Sequence, residues 1–211
     1  MLPSRVNYFG HAAVASWHAP SPGKSLGAML PDFASMCGAR LAADQPDPDI
    51  ATGVALHHRT DSVFHQAAPV LGLMRELDDR LLALDCARGP RRATAHIGTE
   101  LLLDATLLAD EPYRASFLAG FTIDPTLVAW REPDGPARFA MLLARMRPRG
   151  VPDDLHDISS ITYRLQRMLS NRPLLAPNDA DLRAIATALA AHRPRVEVAA
   201  ETVLRAVRAS L

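Results

Sequence analysis

The chain has 211 residues, and its 23 Lys and Arg balance 23 Asp and Glu, so its formal net charge is zero. This balance argues against a nucleic-acid binder or a membrane anchor that depends on bulk positive charge. No segment approaches the roughly 18 consecutive apolar residues that span a bilayer, and the N-terminal segment, interrupted at His11, lacks a signal-peptide layout. Only Cys37 and Cys86 are present, which excludes a disulfide framework or a thiolate metal site. We therefore expect a cytoplasmic protein that contacts neither membranes nor nucleic acids.

Helices are predicted almost throughout, because Ala, Leu and Arg dominate and Val and Ile are too scattered for alternating strands. In chain order they are predicted at about residues 5–17, from Ser25 onwards with a kink or restart at Pro31, at 48–66, 69 to 88–90, 91–109, from the turn at 131–136 to 147, and at 153–170, 178–192 and 195–209. The chain contains no internal repeat, low-complexity tract or convincing linker. We therefore predict one all-α domain over residues 1–211.

Histidines and carboxylates recur every fourth residue on two of these predicted helices. The first series is His57, Asp61 and His65, and the second is His96, Glu100 and Asp104. A helix of 3.6 residues per turn places such residues on one face. An imidazole and a carboxylate one turn apart are a common pair of ligands for a divalent ion, because one rigid helix positions both.

The alternative for each series is a solvated helix face on which histidines and carboxylates form ion pairs. That alternative is weaker for Glu100 and Asp104, because the leucines at 101–103 indicate a buried helix. A buried carboxylate requires a charged partner or a metal ion.

Two further polar residues lie in apolar surroundings near the N-terminus. His11 lies in the nearly apolar segment 6–15, where a lone histidine is more often a hydrogen-bonded core residue than a ligand. Asp32 follows the segment 26–31 and could cap a helix that begins there. Taken individually, both residues favour a structural role.

Four segments carry motifs in a consistent order. Residues 7–11 read Asn-Tyr-Phe-Gly-His, residues 27–33 read Gly-Ala-Met-Leu-Pro-Asp-Phe, residues 53–61 begin with Gly and end with Asp, and Pro-Val stands at 69–70. They resemble the Asn-x-x-x-His, Gly-Asn-Leu-Leu-x-Asp-Phe, Gly-x-x-x-His-Arg-x-x-Asp and Pro-x-Val motifs of the acyl carrier protein phosphodiesterase family. The matched region runs from about residue 6 to 108, half of the chain.

The resemblance implies an HD-domain-like helical bundle that hydrolyses the phosphodiester between phosphopantetheine and a serine of acyl carrier protein. It implies that the metal-site residues are His11, Asp32, His57, Asp61 and Asp104. The first four would also be catalytic, with His11 either a ligand or the proton donor to the leaving alkoxide. Carboxylates and imidazoles without thiolates suit one or two Mn²⁺ or Mg²⁺ ions, with iron as a further candidate.

The chain departs from the family pattern at several positions. The family has Arg where this chain has His58, and Asp where it has His65. Its third motif, Asp-x-x-x-Asp-His, here begins with Glu100 and has Ala105 in place of the histidine, for which His96 is the candidate replacement. We expect these histidines and Glu100 to be additional ligands or to orient ligands. We also expect His65 and His96 to point into one pocket, with at least one of them on a metal.

Clustered arginines suggest a docking surface for an acidic carrier protein, because such a partner requires positive charge beside the active site. Arg88, Arg91 and Arg92 stand just before the helix with the second His and carboxylate series, and we predict that they bind the partner. A second arginine cluster, at 145–149, could instead stabilise the end of a helix. The family-like metal-site half covers about residues 1–110, and the half at 111–211 carries no recognisable motif.

Two alternative functions remain beside the metal-dependent hydrolase. An HD-type protein that activates dioxygen on a pair of irons would suit the extra histidines, and would contain about two iron ions per chain. A non-enzymatic helical interaction protein with a degenerate site would bind no metal, so chelators would leave its stability unchanged.

Overall fold

The computed structural model of the protein describes residues 8–17 and 19–211. These residues form nine α-helices and no β-strand, which confirms the predicted all-α class. The helices are α1 (Tyr8–Ala15), α2 (Pro22–Cys37), α3 (Pro48–Phe64), α4 (Ala68–Leu82), α5 (Arg88–Leu107), α6 (Glu111–Gly120), α7 (Gly135–Met146), α8 (Ile158–Leu169) and α9 (Asp179–Arg208). Asn7 of the first motif, and the start of the first predicted helix, lie outside the described residues.

Contacts divide the chain into two compact units. Unit 1 comprises Met1–Ser62 and Leu107–Pro152, and unit 2 comprises Val63–Thr106 and Asp153–Leu211. Helices α1, α2, α6, α7 and most of α3 belong to unit 1, whereas α4, α8, α9 and most of α5 belong to unit 2. The prediction of a single domain stays a prediction. Among the described residues, no helix combines the length and apolarity needed to cross a bilayer.

An aromatic core holds α2 in unit 1. The ring centroid of Phe33 on α2 lies 5.5 Å from that of Tyr8, 5.9 Å from that of Phe121 and 6.4 Å from that of Phe139. These contacts pack α2 against α1, α6 and α7. Because successive residues on a helix are rotated by about 100°, the anchored Phe33 ring also determines the direction of its neighbour Asp32.

Helices α2 and α3 cross at a pair of glycines. A Cβ built on Gly53 would lie 2.3 Å from the carbonyl oxygen of Lys24 and 2.7 Å from the nitrogen of Ala28. A Cβ on Gly27 would lie 2.3 Å from the carbonyl oxygen of Ile50. Such distances are far below van der Waals contact, so this close approach of two backbones requires glycine on both helices.

In unit 2, α9 packs against α4 and α8. Its core residues include the fully buried Leu189 and Val196. Helix α5 approaches this core through Gly98, where a Cβ would lie 3.0 Å from the Cδ2 atom of Leu189. The contact fixes the turn of α5 that carries His96 and Glu100.

Two prolines lie inside helices where the sequence predicts interruptions. Helix α2 runs continuously through Pro31, and α9 runs through Pro194, so the prediction of separate helices at 178–192 and 195–209 is wrong. A proline in a helix interior removes a backbone hydrogen bond and costs about 3 kcal/mol. Val196 follows Pro194 closely and is fully buried, so packing of α9 offsets this local cost.

Two other helices differ from the predicted elements. Helix α4 ends at Leu82 instead of 88–90, because Asp85 adopts a left-handed conformation with φ of 55° and turns the chain. Helix α6 has no counterpart among the predicted helices. Its start is nevertheless visible in the sequence, since Asp110 caps it by accepting a hydrogen bond from the backbone nitrogen of Tyr113.

Candidate metal centres

Three polar side chains of unit 1 converge in the protein interior. His11 of α1, Asp32 of α2 and His57 of α3 each offer a ligand atom, and these atoms lie within 4.8 Å of one another. The three residues, hereafter the buried group, are only 1%, 0% and 3% exposed. Burying an ionised carboxylate is costly unless a positive charge or a metal ion compensates it. The buried group is therefore a candidate cation site.

The backbone of α2 fixes the imidazole of His57. Its Nδ1 lies 2.8 Å from the carbonyl oxygen of Ala28, and because a carbonyl only accepts hydrogen bonds, Nδ1 carries the proton. Burial, reinforced by the neighbouring His11 ring, lowers the pKa of His57, so the imidazole is neutral near pH 7. Its Nε2 is then unprotonated. Metal-binding histidines are commonly oriented by such a bond from their other ring nitrogen to a backbone carbonyl.

The glycine crossing explains how this hydrogen bond arises. Gly27 directly precedes Ala28, and Gly53 lies one turn before His57 on α3. The close contact between the two backbones therefore brings the Ala28 carbonyl within reach of the imidazole. The contribution of Ala28 was not predicted from the sequence, although a glycine in each of the two motifs marks the crossing.

Asp61 extends the buried group towards the surface. Its Oδ1 lies 3.2 Å from Nε2 of His11, and its Oδ2 lies 3.6 Å from Nε2 of His57. The two imidazole rings stack at a centroid distance of 3.9 Å. The side chain of Asp61 is 28% exposed, unlike those of the buried group. The predicted shared face of α3 is confirmed for His57 and Asp61. It is wrong for His65, the third member of the predicted series, because α3 ends at Phe64.

A second set of potential ligands lies in unit 2. His65, His96 and Glu100, hereafter the half-exposed group, have ligand atoms within 4.8 Å of one another. Nε2 of His96 lies 2.9 Å from Oε1 of Glu100, and Nε2 of His65 lies 3.8 Å from the same oxygen. Glu100 is fully buried, whereas the two histidine side chains are 26% and 28% exposed. The structure thus brings His65 and His96 together, and a metal on either of them stays a prediction.

Besides Asp61, two further predicted site residues belong to neither group. Asp104 on α5 lies one turn after Glu100 and is 1% exposed, which confirms the burial expected from the neighbouring leucines. Its role as a metal ligand stays a prediction. His58 is exposed on α3, and its ring meets that of His57 edge-on at a centroid distance of 5.3 Å.

Burial and helix bounds decide between the alternatives for several residues. A solvated helix face is wrong for His57, Glu100 and Asp104, because all three are buried. Capping is wrong for Asp32, because α2 begins far upstream, with the Ser21 side chain as its cap.

The predicted partner-binding arginines lie in the first turns of α5. Arg88 and Arg92 are exposed. Arg91 is partly buried, and its Nε donates a hydrogen bond of 3.0 Å to Oδ1 of Asp78. Arg88 and Arg92 are therefore the members of this cluster that are most accessible to a partner.

Comparison of the chain with protein-family models, curated proteins and solved structures gives no significant match. The resemblance to acyl carrier protein phosphodiesterases therefore stays a prediction, and the metal-site assignments depend on the distances and burial described above.

Proposed function

We propose that the protein is a metal-dependent phosphodiester hydrolase whose divalent ion is held by the buried group. The observation that carries this proposal is the hydrogen bond between Nδ1 of His57 and the Ala28 carbonyl, beside the fully buried carboxylate of Asp32. This arrangement offers a cation one neutral nitrogen and one anionic oxygen without further rearrangement of the imidazole. The donor set, with carboxylate and imidazole but no thiolate, suits Mn²⁺ or Mg²⁺.

In this proposal each residue has a separate role. Asp32 and His57 hold the ion. His11, the third residue of the buried group, orients Asp61, because its Nε2 lies 3.2 Å from Oδ1 of Asp61. When bound, a divalent ion supplies Lewis-acid activation of a phosphoryl oxygen and of water. Asp61 lies beside the buried group and is reached by solvent. It orients the attacking water and accepts its proton, which it returns to the leaving oxygen as the phosphorus–oxygen bond to that oxygen breaks.

The substrate class comes from the resemblance of the motifs that contain His11, Asp32 and Asp61. We propose that the substrate is the phosphodiester between phosphopantetheine and a carrier protein, with Arg88 and Arg92 attracting the acidic partner. The proposed compartment is the cytoplasm, where reducing conditions suit the free thiols of Cys37 and Cys86.

The test follows hydrolysis of bis(p-nitrophenyl) phosphate by the full chain after removal of metal with EDTA and reloading with Mn²⁺. We expect the wild-type protein to hydrolyse it, and Asp32→Asn to lose both bound Mn²⁺ and hydrolysis, because this variant keeps the side-chain volume but removes the charge. Asp44→Asn changes an exposed carboxylate of the same unit and should retain both. Wild-type hydrolysis by Asp32→Asn would contradict the proposal, and release of phosphopantetheine from a carrier protein tests the substrate separately.

A second candidate function is a non-haem iron oxygenase. Two histidines and one carboxylate are the donor set typical of such iron sites, and both groups have this composition. Iron in the purified protein, together with dioxygen consumption and no phosphodiester hydrolysis, would favour this candidate.

A further inference from the structure

The half-exposed group has no role in the hydrolase proposed above, yet it resembles a ligand set in its own right. His96 and Glu100 lie one turn apart on α5 and therefore share a helix face. His65 directly follows the last residue of α3, Phe64. Two separate elements thus direct potential ligand atoms to one place, within 4.8 Å of one another.

The charge of Glu100 is incompletely compensated by its neighbours. Among the described residues, the side chains within ion-pair distance of this fully buried carboxylate are those of His65 and His96, and both approach Oε1. The separation of 3.8 Å for His65 is too long for a hydrogen bond. The other oxygen, Oε2, is buried and has no hydrogen-bond partner among the described residues. A bound cation would satisfy this carboxylate.

We propose that His65, His96 and Glu100 bind a Zn²⁺ ion. Ligand atoms at 2.0–2.1 Å from a tetrahedral zinc ion lie about 3.3 Å apart, and the observed separations of 2.9 and 3.8 Å from Oε1 bracket that value. Two imidazoles favour zinc over magnesium or calcium, which prefer oxygen ligands. Two histidines and one glutamate are also the protein ligands of zinc sites that leave a fourth position open.

Exposure of the two histidines makes this site accessible from solvent. Their side chains are 26% and 28% exposed, so an ion can enter beside the imidazoles while the buried Glu100 supplies the charge beneath them. The fourth position would be taken by water or by a small anionic ligand.

The test is a titration of the metal-free full chain with Zn²⁺, in competition with a chromogenic chelator, for the wild type, His65→Ala and His96→Ala. We expect one zinc equivalent of the wild type to lose affinity by more than about 100-fold in each variant, since even an outer partner of a metal ligand is worth 10–100-fold. His156→Ala removes an exposed histidine of the same unit and is the matched control, with unchanged affinity expected.

Asp32→Asn distinguishes this site from the buried group. We expect Asp32→Asn to keep the zinc equivalent that His65→Ala loses, whether or not the buried group binds metal. Unchanged zinc affinity in both histidine variants would overturn the inference.

Nitrogen chemical shifts in the wild-type protein give a measurement that needs no variant. Zinc should shift Nε2 of His65 and His96, and the absence of a change at both nitrogens would overturn the inference as well.

Discussion

The buried and half-exposed groups have the same composition, two histidines and one carboxylate, but they differ in burial and in orientation. In the buried group all three residues are at most 3% exposed, and a backbone hydrogen bond selects the nitrogen that His57 presents. In the half-exposed group only Glu100 is buried, and both histidines reach solvent. The same set of ligand types can therefore occur in two sites that differ in burial and in the orientation of their histidines. Burial and a fixed tautomer favour a preorganised catalytic centre, whereas exposure favours exchange of ions with solvent.

The largest effect is expected at Asp61, the partly exposed carboxylate beside the buried group. Asp61→Ala removes the carboxylate beside both imidazoles and should abolish Mn²⁺-dependent hydrolysis of bis(p-nitrophenyl) phosphate while leaving the helical circular dichroism spectrum unchanged. Asp44→Ala, on an exposed loop of the same unit, should behave as the wild type. Hydrolysis at the wild-type rate by Asp61→Ala would contradict the proposal that the buried group, together with Asp61, is the catalytic centre.

A smaller effect is expected from the crossing that orients His57. Gly53→Ala would place a Cβ against the backbone of α2, so the helices must separate and the bond to Ala28 must lengthen. We expect the free energy of unfolding in urea to fall by about 1–3 kcal/mol, as in other overpacked interiors, together with weaker Mn²⁺ binding.

Gly72→Ala is the matched control for this substitution, because no atom lies within 4 Å of the position that its Cβ would occupy. Replacing this helical glycine should stabilise the protein by about 0.5–1 kcal/mol. Equal effects of the substitutions at Gly53 and Gly72 would contradict the proposed crossing.

A more selective effect is expected from the arginines of α5. Arg88→Glu combined with Arg92→Glu should raise KM for an acidic carrier protein and leave hydrolysis of a small phosphodiester nearly unchanged, because only the carrier protein presents negative charge at a distance. Added salt should raise the wild-type KM for the same reason. If the double variant cleaves the carrier protein with wild-type KM, these arginines are not the docking surface.

The smallest effect concerns His192 of α9, a buried histidine that belongs to neither group. Burial and the positive charge of Arg80 lower its pKa, an effect reinforced by Arg195 and opposed by Glu76. Below about pH 6.5, the usual pKa of histidine, the unfolded chain therefore binds a proton more readily than the folded one, and stability falls as the pH falls. His192→Gln should lose less stability than the wild type between pH 7 and 5 in urea unfolding. An identical pH dependence would show that this histidine does not contribute.

The local sequence pattern was sufficient for some of these features and not for others. The spacing of His57 and Asp61 correctly predicts a shared face of α3, because both residues lie on one regular helix. The leucines beside Glu100 correctly predict its burial. The carbonyl that orients His57 was not predicted, because it comes from another helix and depends on a crossing of two backbones.

Pro194 is a second example in which the local sequence does not determine the structure. The sequence predicts one helix that ends at 192 and another that begins at 195. Pro194 lies between them, and a proline in a helix interior removes a backbone hydrogen bond. In the folded chain α9 continues through this residue, because its buried face packs against α4 and α8. Tertiary packing is therefore required to decide whether such a helix continues.

The most direct test of the proposed metal centre is an anomalous diffraction map from crystals of the full chain grown with Mn²⁺. We predict a strong peak bounded by Nε2 of His57 and the carboxylate of Asp32, with Nδ1 of His57 still bonded to the Ala28 carbonyl. A map with no peak in the buried group, from crystals in which Mn²⁺ is bound elsewhere on the protein, would contradict this prediction.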